Sequence, residues 1–172
     1  MSGSRRNSSR GNSLVEFTLV GIPLIFLLIS IFEVSRGMWQ YHTLAYAVKA
    51  GARYAIVHGQ DCDIAPNDCT VSISQIAGVI RTAGIGLPAN SVTVTFTDSS
   101  GTATSCALTD CIAIHTTGHW PPDGSNAPGR IVRITGNFPF RSVITMFWPG
   151  AGRASASGTF VLSATARESI QF

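Results

Sequence analysis

Few residues of this chain have types and spacings that could do chemistry. Glu16 is the only charged residue in an apolar run that starts at Leu14 and continues through Val20, Ile22, Leu24, Ile25, Phe26, Leu27, Leu28, Ile29 and Ile31 to Phe32. A carboxylate costs roughly 2.5–3.5 kcal/mol at the centre of a membrane helix and less toward an interface, so its presence there calls for a partner. A cut between Gly11 and Asn12 creates one. Asn12 would then carry a new α-amino group and Glu16 would be the fifth residue of the shortened chain. An opposite charge within ~4–6 Å offsets the desolvation that either group suffers alone in lipid. The alternative is an ordinary signal anchor, never cut, with Glu16 at the headgroup level.

The other reactive types are sulfur and imidazole. Cysteines stand at 62, 69, 106 and 111, and in an oxidising compartment an even number reads as disulfides with three possible connectivities. Local pairing, Cys62 with Cys69 and Cys106 with Cys111, is preferred because each closes a short loop, and pairing across the two loops stays open. Zinc shared with His115 or His119 is the competing use, but the gaps within the two cysteine pairs do not match structural zinc spacing at both ends. His115-Thr-Thr-Gly-His119 places two histidines four apart, yet Thr116, Thr117 and Gly118 are poor helix formers and no Glu follows the first His as a metalloprotease requires. Gly84-Ile85-Gly86 lacks the third glycine and the preceding strand of a dinucleotide loop. With nine acidic residues in 172, no nucleophile, base and orienting acid assemble from nearby positions, so the reading is a protein that is not an enzyme and needs no cofactor or metal.

Those residues need elements to hold them. The run Leu14–Phe32 is about 19 residues long, against the ~20 needed to span a hydrocarbon core. It is longer than the ~7–15 apolar residues of a cleavable secretory signal, and no small-residue cleavage site follows it, so the helix stays with the mature chain. Arg5, Arg6 and Arg10 precede it and Glu33 is the first charge after it. The positive-inside rule then puts the N-terminus in the cytoplasm and the remainder outside, although Arg36, Lys49 and Arg53 weaken the contrast. Residues 1–11 are polar and fit a disordered leader.

Val34, Met38, Tyr41, Ala45, Val48, Ala52 and Ala55 recur at three- and four-residue steps, which carries the helix well past the membrane. Trp39 and Tyr41 suit an aromatic belt or a helix-to-sheet contact. The small residues Ala45, Ala47, Ala50, Gly51, Ala52 and Ala55 allow a close neighbour, and Pro23 is expected to kink or unwind the membrane helix. A polar loop follows from Gly59 to Cys69, then a second helix over Thr70–Ala83 ended by Gly84-Ile85-Gly86-Leu87-Pro88. Beyond it the period changes to two: strands are expected at Ser91–Thr97, Arg130–Phe138 and Thr159–Glu168, with a doubtful short one around Ile112–His115. Phe138-Pro139-Phe140 with Met146-Phe147-Trp148-Pro149 forms a hairpin tip folded on the core, an exposed patch, or a segment dipping into the membrane surface.

The organisation is therefore a leader (1–11), a transmembrane and extended helix (12–58) and an exported domain (59–172). The fold class is α+β, a long N-terminal helix continuing into a small domain with a second helix and a short antiparallel sheet. Hydrophobic residues make up 45% of the chain and charged ones 12%, with a net charge of +3. The basic residues are scattered along the sequence, and without a basic stripe interleaved with aromatics nucleic-acid binding has little support.

The Gly11-to-Glu16 layout is that of the type IV prepilin class. With Glu33-Val34-Ser35-Arg36 at the membrane exit, and with an alternating strand, Phe138-Pro139-Phe140 and a closing strand ending Ser163-Ala164-Thr165-Ala166-Arg167-Glu168, the chain resembles the TadE-like pseudopilins of the tight-adherence (Flp) pilus system. The resemblance implies a minor subunit in pilus assembly and adhesion. It implies a leader removed by a prepilin peptidase after Gly11, and Glu16 followed by Phe17 as the subunit-packing position. Its partners would be other pilins or pseudopilins, the assembly platform and the bacterial inner membrane, with the C-terminal domain periplasmic or carried into an extracellular pilus. Asn12 departs from the pattern, because type IV pilins usually begin with a methylated Phe, so methylation does not carry over. The competing account is an uncleaved, signal-anchored envelope protein with an exported binding domain.

Overall fold

A computed structural model describes residues 10–59, 62, 71–142 and 159–171, with side chains of the first helix from Leu14 onward. Helix α1 (Arg10–Ile56) runs 47 residues. It starts two residues before the expected Asn12 and stays α-helix across Pro23, without the local unwinding that was one of the two expectations there. The first residues of the chain lie outside the description.

Helix α2 (Ile73–Ala83) begins later than the Thr70 expected, and its capping explains why. Ser72 has extended backbone and its side chain accepts from Gln75 N–H, while the Gln75 side chain accepts from Ser72 N–H. This reciprocal box satisfies two helix-end donors and marks the first turn. Ile76, Ala77 and Ile80 bury its inner side against α1.

Four strands form one antiparallel sheet: β1 (Thr93–Thr97), β2 (Ala103–Ala107), β3 (Ile131–Arg141) and β4 (Thr159–Ser169), in the order β2-β1-β3-β4. Strand β2 replaces the doubtful strand near Ile112, which is instead part of helix α3 (Leu108–Ile114). Leu108 and Cys111, three apart, both point inward, a helical rather than a two-residue repeat, and Leu108 N–H is tied to Val92 C=O at 2.8 Å.

Strand β3 extends past Phe138 to Arg141. Phe138 and Phe140 are buried, and Pro139 lies beyond Asn137, the last residue of β3 paired to β1. One side of β3 is an edge there, the setting in which a sheet admits proline. Of the two aromatic segments for which a core, an exposed and a membrane-surface placement were open, Met146–Pro149 lies outside the described residues. On β4 the face toward the helix is only partly inside: Ala164 and Ala166 are buried, Leu162 is half-buried and Phe160 is 58% exposed.

The C-terminal half of α1 lies across this sheet. Gly136 and Ala164 are register partners, and the shallow trough they make receives Leu44 and Val48 of the helix. A Cβ on Gly136 would meet Val48 Cγ2 at 2.7 Å. On the helix's other flank, a Cβ on Gly51 would stand 2.5 Å from Ile80 Cγ1. The small residues thus set the approach of α1 to both layers. Behind them the core closes with Ile76, Ile80, Val92, Val94, Phe96, Val132 and Ile134, and Phe96 packs edge-on against Trp120 with ring centroids 5.4 Å apart.

Candidate functional site

From Leu14 to Leu28 every side chain of α1 is exposed except at Gly21, including Phe17 at 76%. A helix apolar on all sides is stable only when lipid or other helices cover it. Its polar atoms are closed for that setting: Thr18 Oγ1 donates to Val15 C=O at 2.9 Å and Ser30 Oγ to Phe26 C=O at 2.8 Å. Glu16 sits exposed among these residues, next to Phe17, while Gly11 and Asn12 lie in the first turn of the same helix.

The helix leaves its apolar stretch through a polar latch. Glu33 is buried, and Arg36 Nη2 lies 3.4 Å from its Oε1. The same nitrogen donates to Arg141 C=O at 2.5 Å, and the guanidinium rests 4.9 Å from the centroid of the Phe140 ring. That ring packs on Gly37, 3.5 Å from where a Cβ would sit. One arginine thereby joins the exit of the helix to the end of β3 by ion pairing, carbonyl bonding and cation–π contact. The Glu33-Val34-Ser35-Arg36 segment was noticed in the sequence only as a resemblance. Its partner, the end of β3, could not be read without the fold.

Cys106 and Cys111 form a disulfide with Cα atoms 5.4 Å apart, joining the end of β2 to α3. Cys62 is also disulfide-bonded, and Cys69 lies outside the described residues. His119 Nε2 lies 2.9 Å from Asp123 Oδ1 at the surface, and His115 accepts Ser74 N–H at its backbone carbonyl. The two histidines are therefore engaged separately, and among the described residues no three His, Cys, Asp or Glu side chains group together.

Three of the basic residues scattered along the sequence meet in space. Arg130, Arg133 and Arg167 line one open cleft of about 670 Å³ at the far end of the sheet, together with the β1–β2 turn. In that turn Asp98 accepts from Ser100 N–H at 2.9 Å, Ser100 Oγ at 2.6 Å and Thr102 N–H at 2.9 Å. Burial raises its pKa, but these bonds and one from Gly101 outweigh burial and hold the carboxyl below its ordinary value.

This arrangement is an unpartnered apolar helix carrying one carboxylate, latched to a disulfide-braced α+β domain. The family model for TadE-like proteins matches residues 11–53, the stretch from Gly11 to the last turns of α1. α1 fits a single-pass membrane protein. No curated protein and no solved structure matches the chain significantly.

Proposed function

We propose that this chain is a minor pseudopilin-type subunit of a tight-adherence pilus, acting in pilus assembly and adhesion. The observation that carries the proposal is the exposed apolar half of α1 with Glu16 near its start, inside the segment that matches the TadE-like family. In this reading a prepilin peptidase cuts between Gly11 and Asn12, and the new amine of Asn12 on one subunit meets Glu16 of a neighbour. Lipid covers the helix before assembly and other pilin helices cover it afterward. Phe17, beside Glu16, packs against those helices. The N-terminus lies in the cytoplasm and residues 59–172 form the exported domain, in the periplasm or in the filament.

The physical logic is a difference in environment. Glu16 alone in hydrocarbon is costly, and a neighbour's amine offsets that cost only once the subunits are in register. Processing and assembly should therefore separate by mutation in the native host. Gly11→Phe should leave the leader on and abolish co-purification with other pilus subunits. Glu16→Ala should be processed normally and still lose co-purification. Normal assembly of both variants would sink the proposal and favour the uncleaved, signal-anchored envelope protein.

A further inference from the structure

The arginine cleft lies at the end of the sheet farthest from the apolar half of α1. Phe140 meets Arg36 and Gly37, Gly136 meets Leu44 and Val48, and Gln171 N–H reaches Ile56 C=O beside the start of β3. Strand β3 thus runs back along the helix. From Arg36 to Ile56 the helix rises about 30 Å. With the apolar half in a bilayer, a placement that rests on the membrane reading above, the cleft faces away from that membrane's own headgroups.

Its charges are arranged at a cost to the fold. Arg133 and Arg167 are direct register partners on the outward face of β3 and β4. Like charges directly opposite each other on a sheet are destabilising. Arg130 adds a third cation to the same cleft, and none of the three is ion-paired among the described residues. Asp98, the carboxylate lining the cleft, is held by its own turn. A fold that gathers three cations against a single carboxylate on an open face keeps a net positive site ready for an anion.

The neighbouring rows of the face specify what kind of anion. Next to Arg133 and Arg167, the row Ser105-Thr95-Thr135-Thr165 crosses all four strands. Its hydroxyls pair at 3.0 Å (Thr95 with Ser105) and 3.1 Å (Thr135 with Thr165). A further row contributes Thr93, Asn137 and Ser163. These uncharged groups both donate and accept, as sugar hydroxyls do. No outward residue of the four strands is aromatic, so the face has no stacking platform for nucleic-acid bases. The cleft is open and carries three arginines, unlike the enclosed, mostly apolar pockets that bury small ligands.

We propose that this face binds an acidic polysaccharide, with its carboxylates on Arg130, Arg133 and Arg167 and its hydroxyls along the Thr/Ser rows. This goes beyond the pilus-subunit reading and does not depend on cleavage at Gly11 or on assembly.

The test uses the full chain in nanodiscs of zwitterionic phosphatidylcholine, with polygalacturonate as the probe. Saturable binding that weakens with salt is expected. The Arg133→Gln, Arg167→Gln double variant should lose affinity by about tenfold or more while melting at a higher temperature, because relieving the like-charge pair stabilises the sheet as it empties the site. A Lys49→Gln, Arg81→Gln pair, exposed cations outside the cleft, should change affinity by less than about twofold. The proposal is overturned by absent binding, by equal losses in the two double variants, by equal binding of uncharged dextran, or by displacement of the polymer by stoichiometric inorganic pyrophosphate, which would mark a compact phosphate site.

Discussion

Between Leu14 and Leu28 the side chains of α1 are exposed, apart from Gly21, whereas between Leu44 and Ile56 the residues Leu44, Ala47, Val48, Ala52, Ala55 and Ile56 are buried against α2 and the sheet. Both stretches belong to one uninterrupted helix. They differ in residue size and in what that size is for. The membrane-side half carries Leu, Ile and Phe on every face, so no single face is chosen and its cover comes from outside the domain. The C-terminal half alternates small and medium residues on its packed faces, and Gly51 and Ala52 let neighbours come within contact distance of the backbone. A helix that finds its own partners within the chain is cut to fit them. One that must be covered by lipid or by other subunits stays uniformly apolar.

Matched glycine substitutions break this comparison most sharply. Gly51→Val should destabilise the α+β domain by about 3 kcal/mol, since its first added carbon overlaps Ile80 and a β-branched side chain cannot turn away. Gly21→Val should leave the domain's unfolding unchanged, because at that position only the Phe17 ring lies within reach, at 3.9 Å. Chemical denaturation of the detergent-solubilised full chain, followed by the fluorescence of buried Trp120, measures both. Equal effects would mean that the two halves are packed alike.

The next effects fall within the α+β domain. Replacing Cys106 and Cys111 together by serine should cost about 2 kcal/mol, the loop entropy released by a short closed loop. The loss should appear as faster hydrogen exchange in α3 before β3. Ser72→Ala removes the α2 cap and should cost about 1 kcal/mol, with Gln75→Ala non-additive to it because the two side chains form one reciprocal unit.

The smallest effect depends on pH. Asp98 has a folded-state pKa below its unfolded value, so its contribution is fully present above the unfolded pKa and is lost as pH falls through the folded one. Asp98→Asn should therefore lower the melting temperature at pH 7, and the difference from the parent chain should shrink toward pH 3. A difference that grows on acidification would contradict the assigned hydrogen bonds.

Much of this architecture was legible because its periods are long and strong. The apolar run, the three- and four-residue steps out to Ala55, and the strict alternation in Thr93–Thr97 and Ile131–Phe138 each point to one element type. Glu16 stood out as a charge where charges are expensive. What escaped was local structure made by distant partners. Strand β2, Ala-Thr-Ser-Cys-Ala, has no hydrophobic alternation and is a strand because β1 pairs with it. Helix α3 is only seven residues long and is held by Leu108, Cys111 and the disulfide rather than by propensity. The arginine cleft was invisible because Arg133 and Arg167 meet only through the β3–β4 register. The latch from Arg36 to Arg141 likewise spans 105 residues of sequence.

The central claim is that this helix belongs to a processed subunit, and the mass of the mature protein tests it most directly. The chain is purified from its native membrane and its N-terminal residue is determined by intact mass and terminal sequencing. The account predicts an N-terminus at Asn12 that disappears when Gly11 is replaced by a bulky residue. A chain that still begins with its leader, in cells with an active prepilin peptidase, would contradict the account.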